Sequence, residues 1–207
     1  MTHTLHRIKD QDASDNDYVI LAMPAQGYNT DAQAPEKLSN FLKLFAKHNP
    51  VNMGGMGIGH LYESTLEQMI DKIYPGLPMV HGVFNTREDL IAALRDIKDA
   101  DMGISVVVSG LADDADCCAR EVGVKRHSIN FSLGVWGNIR RLPDERYCKI
   151  TSMCGHAMIS LNLIKKMIAD IKASRITIDE AAAELARPCV CGIFNGERAK
   201  QILIELM

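Results

Sequence analysis

The chain has 207 residues, of which 47% are apolar, with 23 basic and 26 acidic side chains and a formal net charge of −3. That length supports one sizeable domain, and the spread-out charges leave no basic stripe to neutralise phosphates, which argues against nucleic acid as a main partner. Apolar runs such as Val19–Met23 and Ile104–Val108 are far short of a membrane span, and the polar stretch Thr2–Asp17 lacks the features of a secretory signal, so the expected compartment is the cytoplasm.

Strand-like and helix-like patterns alternate from Tyr18 onward. The continuous apolar run Tyr18–Met23, closed by Pro24, predicts a buried strand, and Leu38, Phe41, Leu42, Leu44 and Phe45 fall at helical spacing within Pro35–Lys47. After a glycine-rich stretch, Leu61–Ile73 reads as a second helix and Leu77–Phe84 as a strand. Thr86 and Asp89 resemble a capping box ahead of a helix over Arg87–Lys98, and Gly103–Val108 is the best strand in the chain. Asp113–Val122 reads as a helix and His127–Val135 as a further strand.

This alternation predicts an α/β body over 18–149, with a mostly parallel sheet of about four strands flanked by helices. From Ile150 the pattern is helical only: Ala157–Lys172, Ala181–Ala186 behind Thr177 and Glu180, and Gly196–Leu206 behind Asn195. Residues 150–207 therefore read as a helical C-terminal extension packed on the body, with 1–17 a polar N-terminal segment.

The chemistry concentrates in that extension. Six cysteines in a cytoplasmic protein are expected to be reduced, so their spacing points to metal or redox roles rather than disulfides. Cys154-Gly155-His156 and Cys189-Val190-Cys191-Gly192 each precede a segment read as a helix, whose N-terminal N–H groups and dipole favour thiolates. Cys154, Cys189 and Cys191 are the leading metal ligands, with Cys148 or His156 as a further one. The thiolate-rich set favours an iron–sulfur cluster, a 4Fe–4S type included, over zinc. Cys117 and Cys118 sit within a predicted helix and read as packing, and Asp113, Asp114 and Asp116 as complements of its dipole.

A second motif is Asn52–His60, where Gly54, Gly55, Gly57 and Gly59 form a candidate cofactor- or substrate-binding loop or else a tight turn between helices. Its spacing matches neither dinucleotide fingerprint. His60 and His81 are candidate acid–base groups near loop and strand ends. The pairs Lys125–Arg126 and Arg140–Arg141 are each readable as anion contacts or as solvated surface.

Three functions fit these residues. The first is a cytoplasmic iron–sulfur protein, a redox or cluster-dependent enzyme acting on a small anionic substrate or serving a redox partner. The second is a zinc-stabilised α/β module that binds a small molecule or a partner. The third is a metal-free interaction domain whose helical C-terminus packs on a second copy in a homo-oligomer.

Overall fold

The computed structural model describes residues 17–130 and 136–207. Five strands, β1 (Tyr18–Met23), β2 (Asn52–Gly55), β3 (Gly59–His60), β4 (Val80–Phe84) and β5 (Ser105–Ser109), form one sheet in the order β3-β2-β4-β1-β5. Helices α1 (Ala34–Phe45), α2 (Leu66–Asp71), α3 (Arg87–Ala100) and α4 (Ala112–Glu121) belong to the body, and α5 (Glu145–Met153), α6 (Leu161–Lys172), α7 (Ile178–Ala186) and α8 (Gly196–Glu205) to the C-terminal part. Among the described residues, no helix is long and apolar enough to cross a membrane.

Every neighbouring pair of strands is antiparallel, which corrects the expected mostly parallel sheet of about four strands. The reason lies in the strand order. β1 and β2, joined through α1, run in the same direction, as do β4 and β5, joined through α3. Each co-directional pair is split by a strand of the other: β4 enters between β1 and β2, and β1 between β4 and β5. This is the split β-α-β arrangement, in which helical crossovers are retained while every ladder is antiparallel. The overall class remains α/β.

The pleat sends alternate residues to opposite faces. One face carries Tyr18, Ile20, Ala22, Val80 and Phe84, and packs against Leu38, Phe41 and Phe45 of α1 and Leu90, Ile91 and Leu94 of α3. The opposite face carries Val19, Leu21 and Val83, and is covered by Ile150 and Met153 of α5, Ile164 and Ile168 of α6, Ala181 and Leu185 of α7, and Ile202 and Leu203 of α8. The sheet is thus the middle of three layers.

Local signals set most boundaries. Thr86 caps α3 by accepting from the Asp89 N–H at 3.0 Å, Thr177 and Glu180 form a reciprocal capping box on α7, and Asn195 caps α8 by accepting from the Arg198 N–H. The helix expected from Leu61 begins instead at Leu66, because Thr65 and Gln68 make a capping box there. Asp144 caps α5, which lies where no helix was expected. Residues 127–130 form no strand, and the rest of the strand expected over His127–Val135 lies outside the described residues, as does the N-terminal segment up to residue 16.

Asp17, the first described residue, is buried and fastens the layers together. Its carboxylate accepts from Arg198 Nη1 at 3.0 Å and from Asn195 Nδ2 at 2.9 Å, tying the entry of β1 to the start of α8. Arg198 is itself 3% exposed, so the two charges form a buried ion pair.

Candidate metal centre

The two cysteine motifs meet beneath the C-terminal layer. Cys154, Cys189 and Cys191 are all buried, and all six cysteines are free thiols. Cys189 Sγ lies 3.7 Å from Cys191 Sγ, and the Cys154 thiol is in hydrogen-bonding contact with Cys189. The sulfurs thus form a row from Cys154 through Cys189 to Cys191. His156 Nδ1 stands 3.9 Å from Cys191 Sγ. Cys148 turns elsewhere, donating to the Pro143 carbonyl at 3.6 Å.

The helices contribute differently from expectation. Cys154 is the C-cap of α5, not the start of a helix, and α6 begins only at Leu161. Cys189 and Cys191 lie in the connection between α7 and α8, ahead of the Asn195 cap. A helix C-terminus carries partial negative charge, so the dipole does not favour a Cys154 thiolate. Backbone amides take over that task. The Cys154 sulfur receives N–H groups from His156 and Met158, Cys189 from Phe194, and Cys191 from Ile193. Sulfurs surrounded by peptide N–H donors are the environment that stabilises thiolates bound to a metal.

The row also orders the thiol protons. Donation to Cys189, aided by burial, pushes Cys154 well above the ordinary thiol range. The bond received from Cys154 lowers Cys189, but its own donation to Cys191, burial and the Cys191 charge outweigh that and leave it pushed up to about 11. Cys191 accepts from Cys189 and is held below its ordinary value despite burial. The acidic end of the row is Cys191. Among the described residues, no group of three or more His, Cys, Asp or Glu side chains is placed so that it could hold a metal ion.

The sheet supplies the floor of this region. Cross-strand partners place Leu21, His81, Gly54 and His60 in one rung on the C-terminal face. Gly54, at φ 153°, is required by close approach, since a Cβ there would fall 2.1 Å from the Gly59 carbonyl oxygen. The glycine stretch is therefore a β-hairpin, not a turn between helices: Gly54 and Gly55 end β2, Gly57 lies in the connection, and Gly59 opens β3. Strand-forming side chains are missing from Asn-Met-Gly-Gly, which is why its sequence does not announce a strand. Asn52 at its head donates to the Phe194 carbonyl at 3.1 Å and so docks the hairpin to the C-terminal layer.

His60 and His81, offered by the sequence as acid–base groups, are both fully buried on this face. Gly192, the residue after Cys191, rests on them. A Cβ on Gly192 would lie 2.5 Å from His60 Cβ and 3.5 Å from His81 Nε2, so both rings border the same point of the cysteine loop. Burial pushes the His60 imidazole below its ordinary value, opposed by Glu63. The sequence offered these histidines and the cysteines as separate candidates, and the fold makes them neighbours. By contrast, Cys118 packs in the core on the other side of the sheet, and Cys117 is exposed beside Arg87, whose guanidinium donates to it at 3.2 Å. Comparison of the chain with protein-family models, curated proteins and solved structures finds no match in any of the three.

Proposed function

We propose that the protein binds a metal through Cys154, Cys189 and Cys191, and that this buried thiolate centre is its functional element. The observation that carries the reading is the convergence of three buried cysteines from two separate loops into one row, each sulfur supplied with backbone N–H donors. Cysteines that merely fill a core have no need of such donors. Thiols this well buried are poor partners for bulk solvent, and replacing their protons with a metal removes the mutual repulsion of thiolates.

The spacing favours one ion held by shared sulfurs. Ligands at the corners of a tetrahedron with metal–sulfur bonds of about 2.3 Å stand roughly 3.8 Å apart, and the Cys189–Cys191 separation is 3.7 Å. Zinc is the ion whose chemistry this set suits best. The sulfurs hydrogen-bond in a row, so ion binding would be coupled to a local rearrangement that draws them around one point.

An iron–sulfur cluster is the second reading, favoured by the peptide N–H groups aimed at all three sulfurs and by their burial. In that case three thiolates leave one iron of a four-iron cluster open to a substrate or a redox partner. The free state of all six cysteines supports a reducing compartment such as the cytoplasm for either reading.

The test is to purify the protein without oxygen, record its visible spectrum and measure zinc, iron and sulfide per chain. Colourless protein with one zinc per chain is the expected result. Brown protein containing iron and sulfide selects the cluster, and metal-free protein removes both readings.

A further inference from the structure

The middle sulfur of the row has a thiol on either side. Cys191 Sγ lies 3.7 Å from Cys189 Sγ, and the Cys154 thiol reaches Cys189 through a hydrogen bond. The local backbone sets the first contact: the Gly192 N–H donates to the Cys189 carbonyl at 2.9 Å, a tight turn that lets two cysteines separated by one residue bring their sulfurs together. The second contact joins distant segments, the end of α5 and the α7–α8 connection.

Sulfurs in van der Waals contact need only side-chain rotation to reach the bonding distance of about 2.0 Å. A dithiol with a third thiol against one of its sulfurs is also the arrangement that thiol–disulfide exchange requires, because the incoming sulfur attacks one member of the bond while the other departs. The row has a more accessible end. Cys191 is 5% exposed against 0% for Cys189 and 1% for Cys154, and its neighbour Val190 is 52% exposed.

We infer that the row is a dithiol–disulfide site oxidised by a small peroxide, in which Cys189 bonds to either neighbour and the bond exchanges between them. The Cys191 sulfur attacks a peroxide oxygen, the O–O bond breaks, and hydrogen peroxide leaves one oxygen on sulfur as a sulfenic acid and the other as water. The Cys189 sulfur then displaces that sulfenic oxygen as a second water, forming the Cys189–Cys191 bond; in sum two thiols are oxidised and one hydrogen peroxide is reduced to two waters. Cys154 next attacks Cys189 Sγ, forming the Cys154–Cys189 bond and releasing Cys191, which takes up the proton Cys154 gives up. This goes beyond the metal reading and does not rest on it. An ion and a disulfide compete for the same sulfurs, so oxidation would release a bound ion.

The test uses chelator-treated, reduced full-length protein exposed to hydrogen peroxide, with free thiols then alkylated and intramolecular disulfides mapped by mass spectrometry. Both Cys189–Cys191 and Cys154–Cys189 are expected in the wild type, and reductant should restore the free thiols. Cys154→Ser should form only Cys189–Cys191. Cys189→Ser should form no bridge in this region, although Cys154 and Cys191 both remain. Should the variants fail to fold, the wild type decides alone. Bridges that all include Cys189 and that use both partners uphold the inference. A Cys154–Cys191 bridge, a single unexchanged bridge, or no disulfide in this region overturns it. Metal-free protein that still forms both bridges would remove the metal reading and leave this one standing.

Discussion

The two faces of the sheet are built from the same strands and do different work. The face toward α1 and α3 is an apolar core in which Ile20, Phe45 and Phe84 interlock, with Phe45 and Phe84 in an edge-on contact at 6.2 Å. The face toward α5–α8 is apolar beneath β1, where Val19 and Leu21 lie, but toward β3 it carries His81, Asn52 and His60, with Cys154, Cys189 and Cys191 above them. Placing titratable groups in a buried layer costs desolvation free energy that an apolar residue avoids. One face can be explained by packing alone, whereas the other holds polar groups that packing does not call for.

This contrast is sharpest under substitution of the cysteines. Cys154→Ser, Cys189→Ser and Cys191→Ser should each abolish stoichiometric metal binding, measured by metal analysis of the purified protein, while Cys118→Ser on the opposite face should keep full content. Equal retention in all four variants would dissolve the distinction between the faces. Next in size is a cavity on the packing face: Phe45→Ala should cost about 3–5 kcal/mol in chemical denaturation and leave metal content unchanged in the folded fraction.

Smaller, and specific to the other face, is Gly192→Ala. The added methyl meets His60 at 2.5 Å, and the residue has φ 75°. Overpacking and a left-handed backbone should together cost about 1–3 kcal/mol, and here metal affinity should fall along with stability. Stability loss with unaltered metal affinity would separate the cysteine loop from the histidines beneath it.

The mildest effect is a pH dependence. In chelator-treated protein, Cys154 and Cys189 are raised above their unfolded value of 9.0, Cys189 to about 11. Their protonated forms are favoured by folding, so this contribution is complete below pH 9.0 and is lost as pH rises through about 11. Denaturation midpoints of the metal-free protein should fall across that window, and Cys189→Ser should flatten the fall. With metal bound the thiols carry no protons, and the slope should disappear.

How far each face was legible in the sequence follows from where its determinants lie. Helical periodicity in α1 and α3 and the caps at Thr86, Thr177 and Asn195 are local, and those elements stand where the chain signals them. Strand order is not local: the alternation of strand and helix is the same whether β4 lies outside β1 or between β1 and β2, and only the long-range pairing decides. The hairpin carrying His60 escaped notice because Gly54 and Gly55 look like a loop, and they are strand residues only because the backbones meet closely. The cysteines stood out by type and spacing. Their position was not, since a C-cap at Cys154 depends on α5, whose short amphipathic pattern starts at an unremarked Asp144.

Cobalt titration of the chelator-treated, reduced protein addresses the thiolate centre most directly, because sulfur-to-cobalt charge-transfer absorption reports thiolate ligation and its intensity scales with the number of sulfurs. Saturation at one cobalt per chain is expected, with an intensity corresponding to three thiolates and no stoichiometric binding by the Cys154→Ser, Cys189→Ser or Cys191→Ser variants. Cobalt binding without charge-transfer absorption, or no binding by the folded protein, would contradict it.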